Sequence, residues 1–224
     1  MPRAAATAES GYVAGGLSAG RARLPHMTDT PPADPKSVLH RYLRVAREAL
    51  LWKLDGLSEY DLRRPLTPTA TNLLGLVKHI TGCEIGYFAD TFGRPFADAP
   101  QWLYEQDPEP NVDMWARADE SSAEIIDLYR RACAHGDETI DALDLDSPGT
   151  VPHWPGERAK VTLHTILVHM LAETNRHAGH ADIVRELVDG AVGMRTDVTN
   201  LPGEDAAWWA EYRARVEQAA IDAG

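Results

Sequence analysis

Apolar residues recur every three or four positions over most of the chain, the period of helices buried on one face. Leu39, Tyr42, Leu43, Ala46, Ala49, Leu50 and Leu54 form the first such face. It starts at Asp34-Pro35, a capping residue followed by proline at the first helical position, and closes near Gly56. A short turn is expected over 58–61, before Pro65 and Pro68 break the chain. The pattern predicts a second helix from 71 or 72 to 92, ended by Gly93 and Pro95. A third runs from about 121 to 143, and Gly136 reads as a weak point at its centre. The clearest helix covers 161–189 and stops at Gly190, and a shorter fifth, 205–219, carries Trp208, Trp209 and Tyr212. Four long helices with moderate loops predict an all-α four-helix bundle with a short extra C-terminal helix.

Residues 1–34 stand apart, rich in Ala, Gly, Ser and Arg, and the stretch after Met27 reads like a natural start. Residues 1–26 read as a misplaced start, a tag or a leader. The expectation is a disordered segment over 1–34 and one domain over 35–224. No continuous apolar run follows its basic residues, so it is a poor signal peptide.

The net charge of −12 argues against nucleic-acid and anionic-membrane partners. No stretch of about 18 apolar residues suggests a membrane span. The two cysteines, Cys83 and Cys133, fall in different helical patterns and form no CxxC, which speaks against a disulfide framework or zinc ribbon. These features together predict a cytoplasmic protein.

Candidate chemistry concentrates in the fourth helix. His169, Glu173 and His177 are spaced by four and His180 follows three later, so all four share one stripe. A carboxylate and an imidazole at i and i+4 can grip one ion, but weakly without a third ligand from another helix. His79, flanked by Leu76, Val77 and Ile80, is the natural third. Two nitrogens and one carboxylate suit Zn, Ni or Fe, and three ligands leave positions open for water or substrate. The bland alternatives are a solvated polar face and a hydrogen-bonded core histidine. His169 can serve as a proton shuttle or pack at the lip of the site. Cys83, four after His79, can share the same cavity or be a structural core cysteine. Trp102, Tyr104 and Trp115 can wall a pocket, with His153 and Trp154 at its mouth. Arg185 can form a helix-surface ion pair or bind a carboxylate of a thiol cofactor.

The run from Glu173 through His177, Ala178, Gly179, His180, Asp182 and Arg185 to Gly190 resembles the hallmark of the DinB superfamily. More closely, it resembles the branch related to mycothiol-dependent maleylpyruvate isomerases. Asn72 to His79, with Glu84, resembles that family's second-helix motif, and the likeness spans about 36–217. It implies a four-helix bundle, often a homodimer, with a divalent metal ion held by His79, Glu173 and His177. Glu173 matches the isomerase variant, where many members have His. His180 stands where many have Gln, and with His169 it is the expected catalytic or substrate-contacting group. The implied function is a metal-dependent S-transferase or isomerase using mycothiol or another low-molecular-weight thiol. A metal-dependent hydrolase and a non-enzymatic metal- and ligand-binding stress protein are the alternatives.

Overall fold

A computed structural model describes residues 34–195 and 198–224. The expected leader lies outside these residues except for Asp34. That aspartate caps α1 (Pro35–Trp52), its carboxylate accepting from the backbone of Lys36 and Ser37. The expected turn after Gly56 is a short helix, α2 (Glu59–Arg63), capped by Ser58. Asn72 caps α3 (Leu73–Glu84), and Ser121 caps α4 (Ser122–Ala142). Thr162 caps α5 (Leu163–Asp189), which ends at Gly190 in the left-handed conformation that glycine adopts without strain. Asp205 caps α6 (Ala206–Ala223).

α1 packs along α5, and α3 packs against both α4 and α5. These four helices form the bundle. Their facing stripes bury Leu43 and Leu50 of α1, Leu73, Leu76 and Ile80 of α3, Tyr129 and Ile140 of α4, and Leu167 and Met170 of α5. Each such side chain contributes about 1.5–3 kcal/mol by leaving water.

Three elements differ from expectation. The second predicted helix is not uniform: α3 gives way to a π turn (Ile85–Ala89) and then a tight 3-10 turn (Asp90–Phe92). Thr91 closes the wide turn, its hydroxyl donating to the Gly86 carbonyl at 2.9 Å. The fourth predicted helix starts two residues late. Its first positions belong to β2 (Lys160–Thr162), which pairs antiparallel with β1 (Pro148–Thr150). Val161 supplied an apolar position in helical register, but pairing with Gly149 buries it in a strand. The C-terminal helix has 18 residues, as many as α1, and buries none of them.

A buried ion pair ties three helices together. The Arg47 guanidinium of α1 meets both oxygens of Glu84 of α3 at 2.7 and 2.6 Å and reaches Asp137 of α4 at 2.5 Å. Burial raises the pKa of Glu84, and Arg47 opposes that rise. Gly136 is therefore no weak point. A Cβ there would stand 3.0 Å from Arg47 Nη2 and 3.1 Å from Glu84 Oε2, so its missing side chain leaves room for the pair. Lys53, also fully buried, ties the end of α1 to α5 through Asp182 and to the chain after α5 through the Gly193 carbonyl.

Removing one member of a buried pair strands the other charge in the core. Glu84→Ala is expected to lower unfolding stability by about 3–5 kcal/mol in chemical denaturation. A loss below about 1 kcal/mol, as for exposed pairs, would refute this role.

Candidate metal centre

α3 and α5 bring the predicted triad together. One ligand atom each from His79, Glu173 and His177 lies within 4.8 Å of the others. Both imidazoles turn the same atom inward: His79 Nε2 is 3.4 Å, and His177 Nε2 3.0 Å, from Glu173 Oε1. Two nitrogens and a carboxylate oxygen at this spacing fit a divalent ion.

The outer ring nitrogens are held as well. His79 Nδ1 pairs with Asp113 Oδ2 at 2.7 Å, which leaves Nε2 free to ligate. His177 Nδ1 lies 3.4 Å from Nδ1 of the exposed His180. Burial disfavours the charged His79 ring, but hydrogen bonds to Asp113 and Cys83 outweigh it and push its pKa up to about 10. Burial and the neighbouring His79 charge lower His177, against the pull of Glu173. Burial raises Glu173, but hydrogen bonds from the two histidines bring it below the ordinary carboxylate value.

Asp113 reaches His79 because its loop comes unusually close to α3. A Cβ on Gly75 would stand 1.9 Å from the Met114 carbonyl oxygen, so only glycine fits there. Asn72 donates to that same carbonyl at 3.1 Å while its oxygen caps α3. Cap, glycine and loop together deliver the carboxylate.

The triad opens into a cavity of about 660 Å³ lined by His79, Glu173, Cys83, Tyr87, Trp102, Tyr104 and His169 among others. Trp102 packs closely against α3 at Gly82, where a Cβ would stand 3.1 Å from its ring. Pro152 and His153 close one side, and the Tyr87 hydroxyl is 3.3 Å from His153 Nε2. His169 packs against the rings of Tyr87 and Trp154, and burial lowers its pKa despite nearby Glu173. Cys83, half-buried, holds its sulfur 3.6 Å from His79 Nε2. Trp115 is not in the wall; its carbonyl accepts from Lys78. A larger, more open hollow of about 760 Å³ beside α2 contains no histidine.

Two expected site residues stand elsewhere. His180 lies outside the cavity and touches the centre only through His177. Arg185 is buried on another face, its guanidinium bonded to Asp189 and to the Lys53 and Asp55 carbonyls. The structure shows an ion pair with Asp189 for Arg185. Asp113, Tyr87 and Asp90 were not foreseen. Asp113 sits in a loop without periodicity, and the π turn shifts Tyr87 and Asp90 off the regular helical register.

Bundle and triad together define a DinB-like helical protein. Residues 38–190 match the family model described as mycothiol-S-transferase, and the chain belongs to that family. Among solved structures it is similar to a conserved protein from Enterococcus faecalis, at 16% identity and a TM-score of 0.51. The match covers 70% of this chain and 98% of that one, and the likeness is one of fold. No curated protein matches.

Asp113→Asn leaves His79 without its carboxylate partner and is expected to weaken zinc affinity about 10–100-fold in chelator competition. Gly75→Ala, which displaces the Met114 carbonyl, should do the same without touching any ligand. Unchanged affinity in both would remove Asp113 from the centre.

Proposed function

We propose that this protein is a metal-dependent S-transferase that joins a low-molecular-weight thiol, of the mycothiol type, to an electrophilic small molecule. One observation carries the reading: two of the three triad residues, His79 and Glu173, also line a cavity large enough for thiol and acceptor. A bound divalent ion (Zn, Ni or Fe) supplies Lewis acidity that favours thiolate over thiol near neutral pH. His79, Glu173 and His177 would hold it, and Asp113 fixes the His79 tautomer. His169, kept neutral by burial, can take the thiol proton. The thiolate then forms the new carbon–sulfur bond, and the leaving group departs with its electron pair. Tyr87 and His153 line this space, with Trp154 packed against the Tyr87 ring.

The unpaired cysteines Cys83 and Cys133 suit the reducing cytoplasm. None of the described helices is long and apolar enough to cross a membrane. We also infer a homodimer. α6 buries nothing, and Val216 and Ile221 on it, with Ile183 and Leu187 on α5, are more than half exposed. Sedimentation of the purified protein should give twice the chain mass; a monomer at micromolar concentration would overturn this.

The direct test follows loss of free thiol with a haloarene, with and without added zinc or nickel. Turnover that requires both thiol and metal, and falls at least about 100-fold in His169→Ala, supports the reading. Hydrolysis of a phenyl ester without thiol would replace it with a metal-dependent hydrolase. Metal uptake with neither activity would leave a binding protein.

A further inference from the structure

The charge of the cavity bears on what it accepts, and this inference rests on the thiol-transfer reading. Three carboxylates line the space, those of Asp90, Asp113 and Glu173, and among the described residues no Lys or Arg does. Lys78, beside His79 in sequence, is engaged elsewhere: its Nζ bonds Glu120 at 2.7 Å and the Trp115 carbonyl at 3.1 Å, and sits 5.4 Å from the Trp102 ring centre. A divalent ion would offset two of the three carboxylates, and a thiolate beside it would add another negative charge. The rest of the wall is largely aromatic.

The three carboxylates differ in their engagement. Glu173 belongs to the triad and Asp113 to His79. Among the described residues Asp90 is met only by the Tyr104 hydroxyl, at 3.0 and 3.2 Å, and its carboxylate lines the cavity with no Lys or Arg beside it. Burial, together with the neighbouring Asp90 carboxylate, pushes Tyr104 up to about 12. The π turn before it sets Asp90 at the cavity wall rather than on the outer face.

We propose that the acceptor pocket selects uncharged or cationic aromatic electrophiles and rejects anionic ones, with Asp90 the specificity-determining residue. Aromatic faces attract flat rings and cations alike. Unpaired negative charge in a partly enclosed cleft acts as a repulsive element against anions.

Binding tests this apart from turnover. Nitrobenzene, 4-nitrophenyltrimethylammonium and 4-nitrobenzenesulfonate share a ring and differ in charge, and sulfonate is a poor metal ligand. Titrated calorimetrically into zinc-loaded protein, the first two should bind about tenfold or more tighter than the sulfonate. Asp90→Asn should shrink the gap between cation and anion, and Asp90→Lys should reverse it, with zinc content and circular dichroism unchanged in both. Sulfonate binding as tight as nitrobenzene in the wild type, or an order unaltered by both substitutions, would overturn the proposal. The ranking with no thiol turnover of any haloarene would instead sink the transferase reading and leave the ligand class standing.

Discussion

Glu84 has no water to fall back on. Its carboxylate is fully buried, and its neutralising partner is Arg47 from a different helix, braced by Asp137 from a third. A buried charge is tolerated only where its partner's geometry is satisfied, so this pair restricts how α1, α3 and α4 can be turned about their axes. With Glu84 aimed at α1, His79, five residues earlier on the same helix, faces α5. The meeting of His79 and His177, ring centres 4.8 Å apart, is thus a consequence of a charge buried elsewhere.

Most of the bundle was legible because its helices carry their own punctuation. Asp34-Pro35, Asn72 and Gly190 act at the ends where the pattern puts them, and the apolar stripes are the faces that meet. Glu173 and His177 were legible for a related reason, since on one helix spacing in sequence is position in space, whereas His79, on another helix, was picked out by its apolar flanks and the family resemblance. What the periodicity could not reveal were departures from 3.6 residues per turn. The π turn over Ile85–Ala89 and the β1–β2 pairing use ordinary apolar residues whose neighbours, not their own preferences, decide the conformation. Asp113 was invisible for a different cause, since its role depends on a loop crossing α3 some 34 positions from its partner in sequence. The one signal was Gly75 within an otherwise strong helix, a residue whose cost there asks for a close approach.

The centre joins two kinds of construction. The ion ligands stand on regular helices, whose backbones have little freedom. The opposite wall is irregular chain and short 3-10 turns, from Asp90 to Asp113. Precise positioning belongs with the first and chemical variety with the second.

That wall is fastened in an uncommon manner. Asn72 binds the Met114 carbonyl, Lys78 that of Trp115, and Arg63 those of Arg117 and Glu120. Every residue type offers a carbonyl, so these backbone bonds do not read side chains, although Lys78 also meets the Glu120 carboxylate. Asp113 apart, mutations along it can accumulate while its path and the hold on His79 persist. Such an arrangement lets a lineage reshape what the cavity holds by drift in a single segment, without first dismantling the centre.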